Sequence, residues 1–214
     1  MWAKQGISIK AMMGDYATEI KALCEAAHKR EWGTSVDTLT SLFMTMEFFA
    51  ALEIAVTRAY NHLSVFEAAH PDEGWARSLL VWITSYGAAP ANLPQEAAMP
   101  HNSPGAANFI AALIDVARSV ERQTPLENRV RFLANVVSNV ILAELSSAWY
   151  GDHPDAWEFQ QNDGDEIDDE TGQTVRQIIQ AEFWLDENTA ARDTAAWLEV
   201  AAAVELKMSG ARCS

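Results

Sequence analysis

Two short tetrads open the chemistry of this chain: Glu25-Ala-Ala-His28 and Glu67-Ala-Ala-His70. A glutamate and a histidine three residues apart on a helix can reach one metal ion together. Di-metal carboxylate bundles use two such pairs plus a lone glutamate from each of two further helices. The lone glutamates on offer, Glu47 and Glu53, lie on the stretch that also carries Glu67. At 1.5 Å per residue, Glu47 and Glu67 stand about 30 Å apart on one continuous helix, too far to share a site. His70 also precedes Pro71, which draws it out of helical geometry. A metal centre at Glu25, His28, Glu67 and His70 is therefore the alternative expectation, and two surface helix ends are the leading one. Cys24 and His28 share a helix face as well, the minimal geometry of a thiolate–imidazole pair. No third member of such a site is identifiable, so a half-buried cysteine beside a solvated histidine is expected.

A second chemistry lies between Gly151 and Glu170. Nine carboxylates fall there, Asp152, Asp155, Glu158, Asp163, Asp165, Glu166, Asp168, Asp169 and Glu170, with no lysine or arginine among them. Gly164 and Glu170 stand six apart, as the glycine and closing glutamate of an EF-hand loop do, but Phe159 falls at a ligand position and cannot coordinate an ion. A weak divalent site, a solvated acidic loop and an anionic docking surface are the readings that stand. The last gains from Trp157 and Phe159, an aromatic pair set among carboxylates, as in a protein-binding anchor. Trp157 could equally fold back on the core. Phosphate-cradling glycine loops, Gly-x-Ser-x-Gly and His-Glu-x-x-His are absent from the sequence.

The elements that must hold these residues are helices. The 214 residues are 49% hydrophobic, enough for a sizeable core. Thirty acidic against fifteen basic side chains give a net charge of −15 and argue against direct nucleic-acid binding. Two cysteines, Cys24 and Cys213, can build neither a disulfide framework nor a thiolate zinc site. A reducing cytoplasm is the expected compartment. No secretory signal pattern follows Met1, and the apolar stretch Leu42–Val56 is interrupted by Glu47 and Glu53, so no membrane association is expected.

Apolar spacing and punctuation predict about seven helices. The first runs from about Gly14 to Trp32 and stops at Gly33. The second, with Thr34, Ser35 or Asp37 as cap, continues unbroken from about Val36 to Ala69. A third covers Glu73 to Tyr86. Residues 87–105 hold four prolines in nineteen residues and read as a long loop. Ser103-Pro104 looks like the start of the next helix. Thr124-Pro125-Leu126-Glu127 looks like a capping box opening the most apolar helix, Pro125 to Tyr150, closed by Gly151. Its apolar residues cover most of the circumference, which places it at the centre of the fold. Arg131, Asn135, Ser138 and Asn139 form a polar strip on it, facing either solvent or an interhelical network. After an acidic loop at 151–172 come a helix bearing Ile178, Ile179, Phe183 and Trp184, and a last one capped by Asn188 or Thr189.

The fold expected is a single-domain all-α bundle of about seven helices around the central apolar helix 125–150. The function expected is non-enzymatic and cofactor-free. It is that of an acidic adaptor, inhibitor or immunity-type protein that docks a basic partner surface through Asp155, Trp157, Glu158, Phe159, Asp163, Asp165, Asp168 and Asp169. A DNA mimic, whose charge would be spread in rows, ranks lower. Besides the metal-dependent enzyme, a structural subunit of a larger assembly is the remaining alternative.

Overall fold

The computed structural model describes residues 9–168 and 171–210. Nine α-helices run through them: α1 (Ile9–Lys29), α2 (Trp32–Thr45), α3 (Phe48–Ala69), α4 (Trp75–Tyr86), α5 (Ala106–Ser119), α6 (Leu126–Asp152), α7 (Pro154–Asn162), α8 (Val175–Leu185) and α9 (Glu187–Gly210). The protein is all-α. The only β pairing among the described residues is an isolated bridge between Ile167 and Thr174.

The most apolar helix lies at the centre. α6 packs against α5 along much of its length and against α2, α3 and α9 on its other sides. Leu133, Val136, Val137, Val140 and Ile141 are completely buried along one side of the helix, and the buried Ala134, Ala143, Leu145 and Trp149 widen that side well beyond a single stripe. Each such side chain contributes roughly 1.5–3 kcal/mol relative to exposure. α6 is long and apolar enough to cross a membrane by length and composition, but other helices bury 56% of its most apolar window, as they would a core helix. α1 leans on α2 and α9 at one side of the bundle.

Two of the nine helices come from boundaries the sequence does not announce. The stretch expected as one helix from Val36 to Ala69 is two, with Met46 and Glu47 extended between them. No proline or glycine marks the break. At the end of α2 the Met46 N–H donates to the Phe43 carbonyl at 3.3 Å, and Thr45 Oγ1 donates to the Leu42 carbonyl at 2.7 Å. The turn then carries Phe48 beneath the Arg129 guanidinium of α6, 3.9 Å from its ring centroid. The second is α7, which occupies half of the segment expected as an acidic loop. Pro154 takes its first position, where a missing N–H costs nothing.

Several caps also differ. Gly33 lies inside α2; α1 ends earlier, where Arg30 adopts φ +58°. Thr124 does not cap α6, and its hydroxyl turns back to Glu121. The capping box in the described chain belongs to α8, where Thr174 and Gln177 bond each other's backbone N–H groups. Asp186, rather than Asn188 or Thr189, caps α9 by accepting from the Thr189 N–H at 2.7 Å. The 87–105 connection is irregular apart from a 3-10 turn at Gln95–Ala98, and it ends at Gly105, whose φ of +78° starts α5.

Candidate functional site

The acidic segment divides into a helix and a tight turn. On α7, Asp155, Glu158 and Phe159 are exposed and lie on one face at spacings of three and four. Phe159 is 56% exposed. Trp157 points the other way, edge-on to Tyr150 with ring centroids 5.0 Å apart, so the aromatic pair is split between solvent and core. The Tyr150 hydroxyl is tied to Gln160.

The turn from Asp163 to Thr174 is held by its own backbone. Asp168 and Gln173 pair, and Asp168 Oδ1 accepts from both the N–H and the hydroxyl of Thr171 at 2.8 Å. That oxygen of Asp168 builds the turn. Asp165 and Glu166 project outward, with Ile167 beside them at 67% exposure, and Asp163 is half-buried. Asp169 lies outside the described residues. Gly164 is obligatory, because a Cβ there would stand 2.4 Å from the Gln160 carbonyl oxygen. The stretch lacks cations in sequence but acquires two in space: Arg176 lies 3.2 Å from Asp165 and Arg192 lies 3.5 Å from Asp152.

The two Glu-x-x-His pairs have separate occupations. Glu25 pairs with Lys21, and His28 Nδ1 donates to the Cys24 carbonyl oxygen at 2.7 Å, not to its thiol. Burial and the charge of Glu205 push the Cys24 thiol up, away from a reactive thiolate. Glu67 is clamped by Arg77, whose Nε donates at 2.8 Å, and His70 turns to Ser103. No group of three or more histidine, cysteine, aspartate or glutamate side chains among the described residues could hold a metal ion.

His70 belongs to a different constellation, at the corner where α3 ends and the proline-rich connection returns. His70 Nε2 lies 2.8 Å from Ser103 Oγ. Its ring rests on Phe66, with centroids 4.8 Å apart, and meets His101 edge-on at 5.0 Å. The His101 side chain is 2% exposed, with Nδ1 on the Met99 carbonyl and Nε2 on Glu73. Trp75 Nε1 donates to the same Glu73 oxygen at 3.0 Å. Burial pushes the Glu73 carboxyl up, but the hydrogen bonds from Trp75 and His101 and the charges of His101 and His70 outweigh it and hold it below the usual carboxylate range.

Ser103 sits between two cavities. One, of about 320 Å³, is mainly apolar, lined by Val65, Phe66, Ala69, Pro154 and the ring of His62 among others. The other, of about 410 Å³, contains Asn108, Gln180 and Arg176 beside Phe183 and Trp184. Ser103, Tyr150 and Trp157 line both. His62 is 3% exposed, and burial together with the Arg58 charge pushes it down to about 4, so its imidazole is neutral at pH 7.

Sequence spacing could not bring these groups together. His70 was legible only as half of a metal pair and Ser103 only as a helix cap, while Glu73, His101 and Tyr150 carried no motif. The polar strip on α6 is split too. Arg131 faces solvent, whereas Ser138 is buried on the Asn135 carbonyl. Burial pushes the nearby Asp115 carboxyl of α5 up against the opposing effects of Arg118 and Asn135. Comparison with protein-family models, curated proteins and solved structures finds no match for this chain.

Proposed function

We propose that the protein is a binding protein that docks a basic partner surface with the face formed by α7 and the turn after it. The observation that carries this reading is the exposure of Phe159 and Ile167 among the exposed Asp155, Glu158, Asp165 and Glu166. Leaving large apolar side chains in water forgoes roughly 1.5–3 kcal/mol each, which a partner recovers by covering them. Carboxylates around such anchors steer a cationic surface to them and keep unsuited partners away. No catalysis is assigned to this face.

The test is capture from a lysate of the source organism at low salt, followed by mass spectrometry. Wild type is compared with Phe159→Ala and with the combined Asp155→Asn, Glu158→Gln, Asp165→Asn, Glu166→Gln variant. These positions leave the Asp168–Thr171 turn intact. A basic protein retained by wild type and lost from both variants is expected, with retention falling as salt rises. Retention of the same proteins by all three sinks the reading.

The assembly-subunit reading rests on other residues. Trp82 and Tyr86 of α4 lie with tilted rings whose centroids are 4.6 Å apart, and both are exposed, as is Phe49 of α3. Light scattering on wild type and on a Trp82→Ala, Tyr86→Ala variant separates the two readings: a mass above one chain that the variant lowers favours the assembly.

A further inference from the structure

We propose that Ser103 and His70 form a nucleophile–base dyad that hydrolyses carboxylic esters of short apolar acyl groups through an acyl-serine. The assignment is independent of the docking reading, which rests on a different face.

Geometry carries it. The 2.8 Å separation of Ser103 Oγ and His70 Nε2 is the distance at which a hydroxyl hands its proton to an imidazole. The His70 ring is oriented by Phe66 and by the edge of His101. Behind it stands Glu73, bound to His101 and near enough to His70 to feel its charge. Glu73 fixes the His101 ring, whose edge meets His70 at 5.0 Å, so it is a positioning residue.

Ser103 also has room to react. It opens onto the apolar cavity of about 320 Å³, near the lower end of the ~300–1,000 Å³ typical of small-molecule sites, which sets the acyl group as short. On its other side begins α5, three residues on. Ala107 and Asn108 of its first turn line the second cavity with Ser103. First-turn amides have no intrahelical acceptor and attract negative charge, as an ester oxygen develops in the transition state.

The reaction closes without an added cofactor. Ser103 Oγ attacks the ester carbonyl carbon while its proton passes to His70 Nε2. The bond from that carbon to the alcohol oxygen breaks, and the alcohol leaves with the proton from Nε2. Water then attacks the acyl carbon, giving a proton to Nε2. The bond from that carbon to Ser103 Oγ breaks, the acid departs, and Nε2 returns the proton to Ser103 Oγ.

The test uses the full chain with an ethyl fluorophosphonate, read by intact mass and peptide mapping, and with p-nitrophenyl butyrate, read by released nitrophenolate. One adduct per chain on Ser103 and measurable butyrate hydrolysis are expected. Ser103→Ala abolishes both. His70→Gln slows labelling of the intact Ser103 by roughly 100-fold or more, the usual share of a general base. Melting curves confirm that both variants fold, and the wild-type result decides even if one does not. Absence of an adduct on folded wild type, an adduct on another residue such as Ser147, His70→Gln labelling at the wild-type rate, or labelling without butyrate turnover each overturns the proposal. The capture experiment on the acidic face is unaffected by any of these outcomes.

Discussion

Gly105 and Ala143 meet backbone to backbone where α5 begins against α6: a Cβ on Gly105 would stand 2.4 Å from the Ala143 carbonyl oxygen. Gly105 is also left-handed, at φ +78°. These two constraints seat the end of the proline-rich connection on the central helix. Ser147 Oγ of α6 adds a 2.9 Å hydrogen bond to the Pro104 carbonyl. Ser103 is thereby held opposite His70.

Gly105→Ala therefore meets strain and a clash with rigid backbone together. A loss of about 3 kcal/mol is expected, seen as a lower urea midpoint with the slope unchanged. Gly33→Ala, where nothing lies within 4 Å, is the control and should not destabilise.

Arg58 of α3 joins two other helices, donating to Glu144 of α6 and, at 2.8 Å, to Glu199 of α9. The Arg58 side chain is 11% exposed, and burial pushes the Glu144 carboxyl up despite Arg58. Arg58→Met leaves that carboxylate uncompensated and should cost about 3 kcal/mol at pH 8. The loss should shrink as pH falls and Glu144 takes up a proton. Adding Glu144→Met should restore most of the stability, as a double-mutant cycle by chemical denaturation would show.

His62 is folded as the neutral imidazole, with its pKa lowered from 6.5 to about 4. A group lowered in this way contributes stability that is complete above pH 6.5 and is lost as pH falls toward 4. The share at stake is about 3 kcal/mol. Melting temperatures measured from pH 7 to pH 4 should fall steeply for wild type. In His62→Leu the decline should be shallower over that window.

Thr174 and Gln177 close the start of α8 reciprocally, with N–H to oxygen distances of 3.3 and 3.0 Å. Thr174→Ala should cost about 1 kcal/mol. Hydrogen exchange in the first turn of α8 should accelerate more than in α6. Equal protection in the two proteins would show that the cap contributes nothing.

What the sequence determined on its own was the local periodicity and its loudest punctuation. The stripe Val130, Leu133, Val137, Val140, Ile141 is flanked by Val136 and Ala143 on one side and Leu145 and Trp149 on the other, and a helix apolar over so wide an arc is buried by a central position, so the place of α6 was legible. Four prolines made residues 87–105 a connection whatever surrounded them. Tyr86 and Gly87 ended α4 where expected, because Gly87 takes the left-handed conformation.

Only the tertiary structure decided the rest. The break at Met46–Glu47 has no breaker residue, and Phe48 instead turns to the Arg129 guanidinium, a contact across more than eighty residues. Trp157 and Phe159 are two apart on a helix, so they point to different sides, and which side is core depends on Tyr150 of α6. The acidic stretch reads as cation-free because Arg176 and Arg192 arrive from other helices. His70 and Ser103 are separated by 33 residues and meet only because the connection folds back over the end of α3. Spacing along a chain records the neighbours that one helix supplies. It holds no record of a hydrogen bond whose two ends are brought together by burying a third element.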